Sequence, residues 1–347
     1  MIPETIIPKK YYFPAEWEHH KATWISWPHN VNTWQGDIES IFEGYLQFIK
    51  VVSRYEKVCI NVADEKAEHD ARVKLFNSNV GLEKISFFHH PTNDAWCRDH
   101  GPCFLINTEG NKLVLDWEFN AWGEKYPPYN LDNVIPLQVA NSLNLPYIQP
   151  GMVLEGGSVD FNGEGTVLTT KSCLPNQNRN PNLSIKMIEQ MLKEYFGVSQ
   201  VLWLAEGIAG DDTDGHIDTI TRFVATDTVV TVVEDDPNAV NFNVLQKNLS
   251  ALRNMRLVDD QPLKVVPLPM PAPRYHLGQL LPATYTNFYI CNKAVVVPTY
   301  QDSNDELALR ILANLFEDRE VIGIDSTEII KGLGSFHCLC MQEPGGD

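Results

Sequence analysis

No run of about 18 apolar residues occurs in the chain, so nothing in it reads as a membrane span, and residues 1–10 hold no apolar stretch of the kind a signal peptide needs. Cations are scarce: 27 Lys and Arg against 45 Asp and Glu leave a formal net charge of −18. Such a surface repels a phosphate backbone, which argues against nucleic acid as a partner and favours a small cationic one. The spacing C-x-x-C is missing, and the seven cysteines are an odd number, so neither a disulfide framework nor a structural zinc site is expected. Most of these thiols should be free and buried. Low-complexity segments and long polar linkers, which mark domain boundaries, are absent too. These absences describe a soluble, cytoplasmic chain.

What is present fits one α/β domain over residues 1–347, with 44% hydrophobic residues to build its core. Runs rich in β-branched residues recur at Lys57–Val62, Gln200–Leu204, Thr228–Val233 and 293–297. Helices are predicted between them. Ser184 can cap one that places Ile185, Ile188, Met191, Leu192, Tyr195 and Phe196 on one face. Ser303 and Glu306 read as a capping box for another, followed by Leu307, Ile311, Leu312, Leu315 and Phe316. Further helices are expected over 37–54, 65–76, 131–143 and 238–253, and the proline-rich 267–273 reads as a surface loop.

Polar, chemically capable residues break into strand-like sequence at five places: 96–101, 155–158, 214–218, Asn287 and 335–338. Their wide separation points to one site assembled by several modules. The segment from Gly332 to Met341 reads as glycines leading into a strand, whose alternation puts Cys338 and Cys340 on one face and His337 on the other. A nucleophilic Cys338 would then need a distant histidine. His216 is the candidate, because His216 and Asp218 stand two apart and share a face if Asp214 to Asp218 is a strand. Asp99, after Arg98, and Glu155, before Gly156 and Gly157, add carboxylates outside any solvated charge run. The plainer alternatives are an ion pair of Arg98 with an acid and a turn at Gly156-Gly157. Carboxylates around a thiol suit a guanidinium, a planar permanent cation with five donors. They also raise the thiol's pKa until such a cation arrives.

With these residues in view the sequence resembles the agmatine deiminases, one family of the guanidino-group-modifying enzymes that also include arginine and peptidylarginine deiminases. The motifs are Pro14-Ala15-Glu16-Trp17-Glu18, Trp24-Ile25-Ser26-Trp27-Pro28-His29-Asn30, Asn93-Asp94-Ala95-Trp96-Cys97-Arg98-Asp99, Phe119-Asn120-Ala121-Trp122-Gly123, Leu154-Glu155-Gly156-Gly157-Ser158, Thr213-Asp214-Gly215-His216-Ile217-Asp218 and Phe336-His337-Cys338. The resemblance implies a five-bladed α/β propeller (pentein fold) of ββαβ modules around a pseudo-fivefold axis, hydrolysis of agmatine on the way to putrescine and polyamines, no metal and no cofactor, and a homodimer or higher assembly. It makes Cys338 the nucleophile, His216 the general acid/base, and Asp99, Glu155 and Asp218 the carboxylates that engage guanidinium or orient His216. Asn287 becomes a lining residue. Trp96, Trp117 and Trp122 are candidates to flank the aliphatic part of the substrate or to pack in the core.

The sequence departs from the family at Leu333, where a glycine is common, and at Met341, where a glutamine is. Three rivals stand beside this reading: a deiminase of free or peptidyl arginine, a metal-dependent hydrolase using His216 and Asp218 as ligands, and a silent relative that binds guanidines without turning them over.

Overall fold

The computed structural model describes residues 11–345; the reading of residues 1–10 as free of an apolar leader falls outside them. One pattern recurs four times along the chain: an antiparallel pair joined by a tight turn, then a helix that carries the chain to a third strand parallel to the second. It occurs in Cys103–Ile106, Lys112–Leu115 and Tyr147–Ile148 with helix Ile135–Leu143, and in Val159–Phe161, Thr166–Thr170 and Gln200–Leu204 with helix Ile185–Phe196. Thr221–Ala225, Thr228–Val233 and Lys264–Pro269 repeat it with helix Phe242–Arg253, and Tyr289–Ile290, Ala294–Thr299 and Glu320–Asp325 with helix Asp305–Leu315. Parallel neighbours need such a crossover, whereas antiparallel ones need only a turn. The central strands are buried on both faces, which is why Thr228–Val233 reads as an unbroken β-branched run.

A fifth sheet joins the two ends of the described chain. Cys340–Pro344 pairs antiparallel with His20–Ser26, which is parallel to Lys57–Val62 across helix Phe42–Tyr55; Ile85–His89 extends the sheet across helix Glu65–Asn77. Ile25 is the register partner of Cys340, so the ladder begins two residues after Cys338 and holds that segment in place.

Ser184 does cap its helix, accepting from the Met187 N–H at 3.3 Å, and Ile188, Leu192, Tyr195 and Phe196 are buried. Ile185 instead faces solvent. The capping box at Ser303 and Glu306 does not form. Asn304 is the cap, and the Asp305 carboxylate takes the Tyr300 and Asp302 N–H groups and the Tyr285 hydroxyl, so the chain entry is fixed by Asp305. Residues 267–269 are strand, not loop: Lys264–Pro269 is an edge strand, where a proline's missing N–H costs no ladder bond on its open side.

One buried cation links three of these modules. Arg222 donates from Nε to Asp160 Oδ1 at 2.8 Å and from Nη1 to the Phe288 carbonyl at 2.8 Å, and its Nη2 lies 3.0 Å from Glu16 Oε2. Breaking one side of such a buried pair strands the other charges. Arg222→Met is expected to cost about 3–5 kcal/mol of folding free energy, read as a lower urea midpoint at unchanged slope.

Candidate active site

The segment predicted as a strand at Cys338 is a turn. Ile329–Gly332 is a 3-10 turn, residues 336–339 turn again, and the strand starts only at Cys340. Leu333 sits between at φ 71°, a left-handed conformation that costs a non-glycine residue about 1–2 kcal/mol and explains why glycine is the easier choice there. In this turn Asn287 brackets the cysteine: its Nδ2 is 3.1 Å from Cys338 Sγ, and its Oδ1 accepts from the Cys338 N–H at 3.3 Å. Cys338 Sγ lies 3.7 Å from Asp218 Oδ2.

His216 and Asp218 are not on a strand either. His216 caps a 3-10 turn, Ile217–Thr219. What brings the predicted residues together is Gly157. A Cβ there would lie 2.6 Å from His216 Nδ1, 2.9 Å from Asp99 Oδ1 and 3.1 Å from Asp218 Oδ2, so only glycine leaves room for all three. The Gly157 N–H donates to Asp99 Oδ1 at 3.0 Å, and Trp122 Nε1 donates to Asp99 Oδ2 at 2.9 Å. The five segments thus meet.

The His216 ring lies between two acids, with Nδ1 3.7 Å from Asp99 Oδ1 and Nε2 3.9 Å from Glu155 Oε2; Nε2 is buried without a hydrogen bond. Glu155 is fully buried behind that ring, with Oε1 taken by Arg179 Nε at 2.7 Å. Of the two roles expected for it, engaging guanidinium or orienting His216, its contacts with Arg179 and the imidazole are those of the second. Cys173 Sγ is 3.9 Å from the same Glu155 Oε2. Glu155, Cys173 and His216 offer ligand atoms within 4.8 Å of one another, as a metal centre would, but Arg179 already neutralises Glu155 there.

Asp218 holds its two oxygens differently. Oδ2 accepts from His337 Nδ1 at 2.7 Å and from Asn287 Nδ2 at 3.2 Å, while Oδ1 is buried with no hydrogen-bond partner among the described residues. His337 spends its other nitrogen on Glu16 Oε2 at 2.8 Å. Reasoning from alternation discarded His337 as facing away from Cys338. In the turn its ring reaches Asp218 Oδ2, the same oxygen that lies 3.7 Å from Cys338 Sγ. Glu16 and His337 were both inside recognised motifs, which was the available signal; Arg179 and Cys173 gave none, because their roles exist only through Glu155.

Electrostatics follow from burial and these partners. Burial, then Asp218 and Asp99, push the Cys338 thiol well above its usual range. Burial alone would lower the His216 pKa, but Asp99, followed by Cys173 and Glu155, outweighs it and raises it well above normal. Burial raises Asp99 to about 6 despite the opposing pull of His216. Asp218 is lowered: burial opposes ionisation, and the His337 hydrogen bond and charge overcome it. Cys340 is fully buried, its thiol is pushed well up by burial, and its Sγ lies 3.1 Å from the Phe336 carbonyl.

A cavity of about 680 Å³ opens onto this cluster, with Cys338, Asp99, Trp96, Trp122, Asp94 and Asp212 among the residues of its wall. Its one Lys or Arg among the described residues, Lys331, is paired with Glu328 at 2.5 Å. Trp117 is a core residue, its ring centroid 5.2 Å from that of Phe196. Met341 stacks behind the site, its Sδ 3.4 Å from Arg98 Nη1. Arg98 does pair with an acid, Glu16, at 3.3 Å.

A thiol, an imidazole and ionised carboxylates gathered from separate ββαβ units of an α/β chain define the class of guanidino-group-modifying enzymes. Residues 12–344 match the model of the Porphyromonas-type peptidyl-arginine deiminase family, and the chain belongs to that family. It is 36% identical over 341 residues to a putative agmatine deiminase of Legionella pneumophila (strain Paris), covering 97% of each chain. Among solved structures it is similar to the agmatine deiminase of Enterococcus faecalis, with 31% identity, a TM-score of 0.91 and 99% of each chain covered. A cysteine-to-serine variant of the C. jejuni agmatine deiminase, solved with substrate bound, is 33% identical with a TM-score of 0.87 over 97% of each chain.

Proposed function

We propose that this protein hydrolyses the guanidinium group of agmatine to N-carbamoylputrescine and ammonia through a covalent cysteine intermediate. The observation that carries the reading is Asp218 Oδ1, a buried carboxylate oxygen with no donor, on a residue whose other oxygen is 3.7 Å from Cys338 Sγ. A guanidinium N–H supplies the missing donor and sets the central carbon against the sulfur. Asp99, in the cavity wall, takes a second N–H.

The cation's charge offsets what keeps Cys338 protonated, and the thiol proton leaves to water. The thiolate adds to the guanidinium carbon. His216, protonated at Nδ1 on the Asp99 side, gives a proton to the departing nitrogen, and ammonia leaves an S-alkylthiouronium on Cys338. His216 then takes a proton from water, which attacks the same carbon and releases the ureido product and the thiol. In this reading Glu155 and Arg179 orient the ring, Asn287 positions the sulfur, and Trp96 and Trp122 flank the alkyl chain.

Agmatine is favoured over arginine by the cavity wall, where Asp94 and Asp212 would meet a distal ammonium and Lys331 is already paired. Ammonia release should be fastest with agmatine when it is run beside arginine and a blocked arginine peptide, and should persist after exhaustive chelation. Preference for the peptide would move the substrate assignment; loss on chelation would favour the metal hydrolase. A cationic haloacetamidine is expected to alkylate Cys338 faster than neutral iodoacetamide, after correction for intrinsic reactivity. Because the free thiol's pKa is raised, the iodoacetamide rate should keep climbing above the ordinary thiol range of about 8.5.

We also read these five sheets as blades of an α/β propeller about a pseudo-fivefold axis, with the two-stranded hairpin of Tyr275–His276 and Gln279–Leu280 outside them and the described residues 11–345 as one catalytic domain. The support is the fourfold ββαβ repetition and the pairing of Cys340–Pro344 with His20–Ser26.

A further inference from the structure

His337 is 1% exposed and both of its ring nitrogens end on carboxylates, Nδ1 on Asp218 at 2.7 Å and Nε2 on Glu16 at 2.8 Å. An ionised carboxylate only accepts hydrogen bonds. Satisfying two of them together takes a ring that donates from both nitrogens, an imidazolium. Glu16 is anchored from behind, 3.0 Å from Arg222 Nη2 and 3.3 Å from Arg98 Nη2. The His337 main chain is held as well, its N–H donating to the Asn287 carbonyl at 3.2 Å and its carbonyl accepting from Arg98 Nε at 3.3 Å. The other ionisable groups around it are Cys338, Cys340 and, through Arg222, Asp160.

The consequence falls on Asp218. Fully buried and beside a thiol, its carboxyl would favour the neutral form, which offers a cation no full negative charge and can turn a proton toward it. His337 supplies a compensating charge on the Oδ2 side only, so Oδ1 keeps its lone pairs free. We propose that His337, carried by Glu16, is a positioning residue that keeps Asp218 ionised and its Oδ1 presented to the guanidinium. This rests on the reading that Asp218 receives the substrate cation. It gives the histidine next to the nucleophile a role without proton transfer to the nucleophile, and it ties Glu16, more than 300 residues away in sequence, to substrate binding.

The test uses His337→Ala, His337→Gln and Glu16→Gln in the full chain. The first readout is kcat and KM for agmatine across pH 5.5–9.5. The second, which needs no turnover, is the ratio of Cys338 alkylation rates by a chloroacetamidine and by iodoacetamide, counted per reactive thiol. In His337→Ala the Asp218 carboxyl loses its charged partner and keeps only the neutral Asn287 donor, so its pKa rises. The acid limb of kcat/KM should therefore move up by one pH unit or more. The cationic-to-neutral alkylation ratio should fall about tenfold at pH 7 and recover by pH 9, when Asp218 ionises again. His337→Gln keeps a donor to Asp218 but no charge, so it should retain most of the pH shift. Glu16→Gln, nearly isosteric, should show a smaller shift in the same direction and serves if the alanine variant does not fold.

Asp99, Glu155 and His216 also titrate near the site; their hydrogen-bond partners are untouched by these substitutions, and loss of the Asp218 charge would lower Asp99, opposite in direction to the shift expected. A purely structural role would lower the number of reactive thiols and the melting temperature while leaving the acid limb and the alkylation ratio per thiol unchanged; that result overturns the proposal. Absence of agmatine turnover by the unsubstituted protein would instead remove the activity reading, and the alkylation arm would still decide the role of His337.

Discussion

Cys338→Ser is expected to lower ammonia release from agmatine by about 10⁴-fold or more, as loss of a nucleophile does in other covalent hydrolases. The serine hydroxyl fits where the thiol sits and can keep Asn287 as a partner, so the fold and the carboxylates proposed to bind the cation should survive. Affinity for agmatine, measured by calorimetry, should change by less than about tenfold, since no binding carboxylate is removed. Mass spectrometry should show a covalent adduct on the unsubstituted chain under rapid quench and none on the variant. Turnover by the serine variant within tenfold of the parent would end the covalent mechanism.

His216→Asn should cost about 10³-fold in turnover, within the range for a positioned acid/base. Ammonia is a poor leaving group unless protonated, and water is a poor nucleophile unless deprotonated; in the proposed mechanism one imidazole serves both steps. The two can be separated. An S-methylisothiourea analogue of agmatine expels methanethiol, which leaves without a strong acid. With that analogue the variant should form the thiouronium at Cys338 at a rate near the parent's and then stall. Accumulation of the adduct, one per chain, is the expected result; prompt release of the ureido product would assign the hydrolytic base elsewhere. The raised His216 pKa adds a sign: the protonated ring persists above neutral pH, so the acid step with agmatine should survive to more alkaline pH than an ordinary histidine near 6.5 allows.

The residues that the structure brings together around Cys338 were singled out in the sequence, but the reasons first given for their convergence were not the ones the structure shows. Cys338 and His216 were paired by assuming strands, and both lie in turns. Gly157 brings His216, Asp99 and Asp218 together, a role invisible in Leu154-Glu155-Gly156-Gly157-Ser158, because a glycine needed for space and one needed for a turn look alike in a sequence. Glu155 was recognised as unusual, with engaging guanidinium or orienting His216 both left open. Its service to Arg179 and His216 depends on burial, which no local pattern encodes. The same holds for Asp305, which displaced the expected capping box through contacts with Tyr285 and Tyr300.

By itself the sequence determined the α/β alternation, the helix faces, the excess of acid over base and the identity of the chemically capable residues, since each follows from local periodicity or composition. The tertiary structure alone decided which nitrogen meets which carboxylate, which oxygen of Asp218 is left without a donor, and that His337 and Glu16 stand behind it. Hydrogen bonds across 119 and 321 residues are a matter of distances set by sheet packing, and no spacing along the chain contains them.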